Sequence, residues 1–325
     1  MRIYGVIVAG VLSCVGAPAS AANLSLQDLM SSFSVIALDY WEQENATQVF
    51  GPMYVGGDAY LLGSTLNASN AGNVTLPTAD GTGTLAGTLF VDGGMVGPSA
   101  PTLQNGDAQF AGAPSTPPNF NGGQAFTNVA TMPTAAIKAL MPDASFQLSQ
   151  LSATAGSGFF FDDPGSSSPN SLTIETGAGV NGVAVINVDG DSLEKNFQNT
   201  SITLSQAAGV TTTIINISGS GPRASFGNIN DFNSGVVVNW YEATAVEIEH
   251  TFGYSILAPN AAVSNSAQVR GSVVAKELYQ SGDILQTTFS GALPDVTPVP
   301  LPAPAAMLAG GLALLGAAGL RRRRR

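Results

Sequence analysis

The chain is poor in the side chains that most often carry chemistry. Its 325 residues include one cysteine, Cys14, and one histidine, His250. With no second cysteine there is no disulfide framework and no thiolate metal site, and Cys14 falls in a segment expected to be removed, so it supplies no nucleophile. A lone histidine leaves triad hydrolysis and most zinc sites excluded or strained. His250 follows Glu247 and Glu249, which reads as a surface histidine beside acids rather than a general base. Positive charge is also scarce. Between Ala22 and Pro302 only Lys138, Lys195, Arg223, Arg270 and Lys276 stand against all 22 acidic residues, a balance of −17. Such a surface repels nucleic acid and anionic lipid, so no nucleic-acid partner is expected. Gly56-Gly57 and Gly93-Gly94 form no dinucleotide or P-loop fingerprint and read as corners that need positive φ. No cofactor and no resident metal are implied.

Long apolar runs are confined to the two ends. Arg2, the apolar Ile3–Val15 and the small-x-small step Ala19-Ser20-Ala21 form a secretory signal, with cleavage after Ala21. An alternative, a loose lipobox at Val11-Leu12-Ser13-Cys14, would make Cys14 a lipidated N-terminus. At the other end Val299, Pro300, Leu301, Pro302 and Ala303 precede the charge-free Ala305–Leu320 and then Arg321–Arg325. With Leu301 and Pro302 the apolar stretch approaches the roughly 20 residues of a membrane span. The arginines should stay cytoplasmic, placing the body across the membrane. This order of parts resembles the PEP-CTERM class of sorting tails, in its Val-Pro-Leu-Pro-Ala variant. The resemblance implies an exosortase as processing partner and transient anchoring in the inner membrane. It also implies delivery to the cell surface, outer envelope or matrix of a Gram-negative bacterium that makes exopolysaccharide. The expected divisions are 1–21 signal, 22–293 folded domain, 294–304 proline-rich linker, 305–320 membrane helix and 321–325 basic tail.

The body reads as mostly β. Pro52–Leu62, Thr84–Val91, Gly182–Val188, Ser201–Leu204, Thr211–Ser218, Val236–Trp240, Ala245–Ile248, Tyr254–Leu257, Val269–Ala275 and Ile284–Phe289 are rich in Val, Ile, Thr and aromatics. Helical spacing appears in Ser25–Phe33, with Ser25 as N-cap, and in Thr134–Ser152, where Pro142 marks a break. Ala113–Gly123 reads as a surface loop. Short apolar pulses with Gly and Asn at the corners suit coils of a parallel β-solenoid, in which each coil must stack on its neighbours.

Two blocks carry a second resemblance. Val49-Phe50-Gly51-Pro52-Met53-Tyr54-Val55-Gly56-Gly57-Asp58-Ala59 is similar to the early signature of the choice-of-anchor A family, with Phe50 and Pro52 where that family favours Glu and Arg. Asn239 and Ala243 in Asn239-Trp240-Tyr241-Glu242-Ala243-Thr244 match its later motifs. So do Leu257-Ala258-Pro259-Asn260 and Gly271 before Ser272-Val273-Val274-Ala275, although Tyr254 interrupts a Gly-Ser pair. The resemblance covers Leu24 to Pro294. It implies an ice-binding-like adhesive domain: an all-β, discontinuous right-handed parallel β-solenoid with one long flanking α-helix, here Thr134–Ser152. It also makes Gly51, Val55, Gly56 and Gly57 family-motif positions.

Candidate chemistry is thin. Asp162-Asp163 before Pro164-Gly165 reads as a loop, and Asp189-Gly190-Asp191 with Glu194 lacks the calcium-loop pattern. Trp41 and Trp240 read as buried rather than sugar-stacking, and Thr211-Thr212-Thr213 is the single threonine run, short of a repeated ice-binding face. The Asn-x-Ser/Thr triplets at Asn45, Asn67, Asn73, Asn199 and Asn216 read as turns. The expectation is a non-enzymatic exported adhesive or structural module associated with exopolysaccharide. The alternatives are a polysaccharide-processing solenoid with paired carboxylates, and ice binding.

Overall fold

A computed structural model describes residues 24–129, 132–193, 200–224, 227–285 and 288–295. The expected signal with Ala19 and Ala21, the sorting motif Val299–Ala303, the apolar Ala305–Leu320 and the terminal arginines lie outside the described residues. No helix among the described residues is long and apolar enough to cross a membrane.

Helix α1 (Leu26–Ser32) starts where expected. Ser25 is extended, and its hydroxyl accepts the Asp28 amide at 3.0 Å, while Leu26, Leu29 and Met30 are buried. The chain then winds through short parallel strands along three sides. Strand β1 (Val35–Gln43) crosses the first side at Val35–Ala37 and the second at Tyr40–Gln43, and β2 (Gln48–Val49) lies on the third. The next turns contribute β3 (Met53–Val55), β4 (Asp58–Leu62) and β5 (Thr65–Leu66). A hairpin of β6 (Val74–Pro77) and β7 (Thr84–Gly87) interrupts the winding before β8 (Leu89–Val91), β9 (Met95–Ser99) and β10 (Thr102–Leu103). Strands β11 (Ala108–Phe110), β12 (Asn119–Phe120) and β13 (Ala125–Thr127) complete this arm. Helix α2 (Thr134–Ser149) then packs along the first side of the other arm, against strands introduced next.

That second arm begins with β14 (Gly158–Phe161) and β15 (Ser171–Glu175). It continues through β16 (Val183–Val188), β17 (Ser201–Ser205), β18 (Thr212–Ile217), β19 (Gly221–Ala224), β20 (Val236–Trp240) and β21 (Ala243–Ile248), and closes with β22 (Ser255–Asn265) and β23 (Val273–Gln280). The first side therefore reads β13-β11-β8-β3-β1-β23-β22-β20-β18-β16. The chain starts in the middle, runs to one end, passes along α2 to the other end, and returns to lay β23 against β1 in parallel register from Val35↔Val273 to Gln43↔Gln280. The third side is continued by bridges of Val49 with Ile284, Ile284 with Val269, and Val269 with Phe252.

Burial explains the hydrophobic patterns. The middle of the first side is covered on both faces, by the interior and by the helices, so β18 and β20 are buried at every position. The second side has one wet face and alternates: Trp41 and Gln43 point inward while Tyr40 and Glu42 point out. One core fills the interior around Trp41, Trp240, Phe252 and Tyr254. A second joins Leu29, Phe33, Ile137, Met141 and Leu148 of the helical layer to Ile36, Tyr54, Val237 and Leu257 of the first side. The segment after β23 is sewn down across this layer. Phe289 donates its amide to the Met30 carbonyl at 3.1 Å, Ala292 to Thr212 Oγ1 at 2.8 Å and Leu293 to Gln27 Oε1 at 2.7 Å.

Several expectations need correction. Pro52–Leu62 and Thr84–Val91 each contain two strands, split where the chain turns a corner. Strand β23 begins at Val273, with Val269 in an isolated bridge, and the described part of Ile284–Phe289 contributes the bridges of Ile284 rather than a strand. Pro142 does not break α2, which runs through it to Ser149; the packing of Met141 and Ala144 against the sheet holds the helix where propensity opposes it. Asn216 is no turn residue but lies inside β18.

Candidate functional site

The family-motif positions prove to be scaffold. Gly56 and Gly57 turn the corner between the first and second sides, and neither has positive φ, contrary to expectation. What they supply is closeness. A Cβ on Gly57 would collide with the Asp39 carbonyl of the neighbouring turn, and one on Gly56 would sit 3.1 Å from Thr134 Cγ2 on α2. Gly51 does adopt positive φ, at 126°, beside the Ser34 hydroxyl. A Cβ on Gly271 would stand 2.7 Å from the Ser255 amide nitrogen. Val55, Ala243 and Ala258 are buried in the interior, and Leu257 lies beneath the helices. Pro259-Asn260 makes the bend within β22, where Asn260 Nδ2 donates to the Tyr241 carbonyl at 3.0 Å.

Asn239 belongs to a ladder. Asn187, Asn216 and Asn239 are in register on β16, β18 and β20. Asn239 Nδ2 donates to Asn216 Oδ1, and Asn216 Nδ2 to Asn187 Oδ1, both at 2.9 Å. Each amide also donates to a carbonyl at or just past the C-terminal end of α2: Ser145 at 2.8 Å, Leu148 at 2.9 Å and Leu151 at 2.9 Å. Ser145 Oγ returns a bond to Asn239 Oδ1 at 2.5 Å. The ladder thus satisfies helix-end carbonyls and fixes α2 on the sheet.

The exposed chemistry lies on the second side, where β4, β1 and β23 run in register. Asp58, Tyr40 and Glu277 form one row, and Tyr60, Glu42 and Tyr279 the next. Acid and tyrosine alternate along both the strands and the rows, a checkerboard. Tyr40 Oη donates to Glu42 Oε2 at 3.1 Å, and Tyr279 Oη to Glu277 Oε2 at 3.0 Å. The Tyr40 and Tyr279 rings lie 6.0 Å apart at 59°. Burial, followed by the bond to Glu42, pushes the Tyr40 phenol up to about 12. The Glu277 bond, then burial, raises Tyr279. Asp58 Oδ1 accepts the Gly94 amide at 2.6 Å. Beyond Glu277 and Tyr279 the rows continue as the small residues Ala262 and Ser264, then Ala245 and Glu247. The other non-buried tyrosine among the described residues, Tyr241, lies off these rows. All three tyrosines are half-buried on a sheet whose strands are paired on both flanks.

Of this platform only Asp58 was named in the sequence, within the early signature and with no role given to it. The signal was available in the Tyr40-Trp41-Glu42 and Glu277-Leu278-Tyr279 alternations, but the pairing that joins them spans almost the whole domain. Trp41 and Trp240 are buried, in agreement with expectation; Trp41 Nε1 donates to Gln280 Oε1 at 3.1 Å. Asp162 organises its loop by accepting the Ser171 and Asn170 amides at 3.1 and 3.2 Å, and the former bond chiefly holds its carboxyl below the usual range. Asp191 pairs with Arg223 at 2.8 Å, and Glu194 lies outside the described residues. His250 follows β21 at a partly exposed bend. Among the described residues no group of three or more histidine, cysteine or acidic side chains is disposed to hold a metal ion.

A family model described as "Putative Ice-binding-like adhesive domain" matches residues 26–285. No curated protein and no solved structure gives a match.

Proposed function

Because the chain belongs to this family of ice-binding-like adhesive domains, we propose that it is an exported, non-enzymatic adhesive module that holds polysaccharide on the second side of its parallel stack. Family membership points to an adhesive role at a surface or outside the cell. The finer reading is a right-handed discontinuous solenoid, the usual hand of parallel crossovers, flanked by α2. Its N-terminal signal exports it, and its C-terminal tail holds it in the inner membrane until an exosortase acts at Val299–Ala303 and passes it to the envelope or matrix of a Gram-negative, exopolysaccharide-making cell.

The observation that carries the binding reading is the checkerboard of Tyr40, Tyr60 and Tyr279 with Glu42, Asp58 and Glu277. Aromatic faces stack on the apolar faces of sugar rings, and carboxylates accept from their hydroxyls. The surface is built on paired strands in register, which suits repeated weak contacts along a polymer and their gain by multivalency. The decisive experiment mixes the exported protein with the exopolysaccharide of its own host. Retention with polymer length unchanged is the expected result. Shortened chains would replace this reading with hydrolysis by paired carboxylates, and absence of retention would remove polysaccharide as the ligand.

A further inference from the structure

We propose that the tyrosine–carboxylate platform selects a polysaccharide bearing protonated amino sugars; the inference rests on the polysaccharide reading and specifies its chemistry. Three carboxylates, Glu42, Asp58 and Glu277, stand between three phenol rings. Lys276 lies beside Glu277, 4.0 Å from its Oε1, at the start of the same stretch. An anionic, uronate-rich polymer would meet repulsion from the platform and from the acidic body around it. An ammonium group meets the opposite: negative carboxylates at the corners of each square and the electron-rich faces of tyrosine.

The phenol–carboxylate bonds sharpen this. A tyrosine whose hydroxyl donates to a carboxylate has a more electron-rich ring, so the bonds of Tyr40 to Glu42 and Tyr279 to Glu277 strengthen the attraction of each ring for a cation. They also fix the hydroxyls, so the rings are held in place before a ligand arrives. Spacing favours a glycan over a peptide. Tyr60 and Tyr279 are separated across β1 by two strand spacings, about 9.5 Å, close to the length of a disaccharide unit running across the strands. A peptide that bound by adding a strand would need an open edge, and β4, β1 and β23 are each paired on both flanks.

The test uses immobilised polymers of one backbone and different charge: polyglucosamine, its N-acetylated form, a uronate polymer and a neutral glucan. The full-length protein should be retained on polyglucosamine about tenfold more strongly than on the N-acetylated polymer. Tyr40→Ala with Tyr279→Ala leaves the net charge unchanged and should lower that retention about tenfold, while the corresponding Phe pair keeps most of it. Glu42→Gln with Glu277→Gln should reduce the preference for the amine and leave binding to the N-acetylated polymer. Thermal denaturation of each variant checks that the fold persists. Retention unaffected by the Ala pair would mean that bulk charge does the work, and would overturn the proposal. Displacement by polylysine but not by glucosamine oligomers would assign the platform to basic peptides and overturn it as well. Tyrosine-dependent retention on the N-acetylated or neutral polymer, without preference for the amine, sinks only the amino-sugar selection. Failure on every polymer, the host's own included, sinks the polysaccharide reading too.

Discussion

Asn239 and Tyr40 represent two kinds of residue in this protein: one holds the scaffold and the other faces outward. Asn239 is fully buried and bonded to Asn216, to the Ser145 carbonyl and to the Ser145 hydroxyl. Asn239→Ala leaves those partners unsatisfied in the interior, and should cost about 2–3 kcal/mol in urea denaturation. Tyr40 gives a pH signature. Burial, then the bond to Glu42, pushes its phenol up from the ordinary 10.0 to about 12. The native state therefore keeps a proton that the unfolded chain loses first. Its contribution is intact below about pH 10 and is lost as pH climbs toward about 12. Denaturation midpoints should fall across that window, and Tyr40→Phe should flatten the fall; an unchanged slope would show that Tyr40 is not responsible. Asn239 was recognisable in the sequence from its motif, but its role was not, since the ladder exists only once three distant strands are in register. Tyr40 was not recognisable at all, because one tyrosine beside an acid is unremarkable until Tyr60 and Tyr279 are placed around it.

At the scale of elements, the strands on the first side were legible because burial on both faces produces apolar runs such as Val236–Val238. The corners were not. Gly56-Gly57 sits inside an apolar stretch and reads as one strand, whereas its backbone approaches Asp39 too closely for a side chain. Gly57→Ala should cost about 1–3 kcal/mol by forcing adjacent turns apart, with loss of stability rather than of secondary structure in circular dichroism. Helix α2 was legible by periodicity, except at Pro142, where local preference was overruled by packing. The missing amide at Pro142 still carries its penalty. Pro142→Ala should therefore raise stability, by about 1–3 kcal/mol in the same assay. A fall would mean that the proline shapes the helix to the sheet.

At the scale of the molecule, the decisive contact is the one between β1 and β23, which joins the beginning and end of the domain. No local pattern announces it, and it is why the platform could not be assembled from sequence. A chain truncated after Asn265 lacks β23, leaving β1 and β22 with open flanks, and should lose cooperative unfolding altogether rather than shed one strand. Hydrogen exchange should find the slowest amides in β1, β22 and β23. A truncated chain that melts in one sharp step would contradict this. The same placement of the ends has a mechanical consequence. Tension applied between residue 24 and residue 295 enters through α1 at mid-stack and through the segment carrying Phe289, Ala292 and Leu293, where the amides of Phe289 and Leu293 are bonded to α1 and that of Ala292 to Thr212 on β18. The load path runs from the seam between the two arms into the second arm as far as β18. The outer turns of the first arm bear almost none of it, so a tethered molecule under flow would be expected to yield at the seam or in the second arm before the first arm opens.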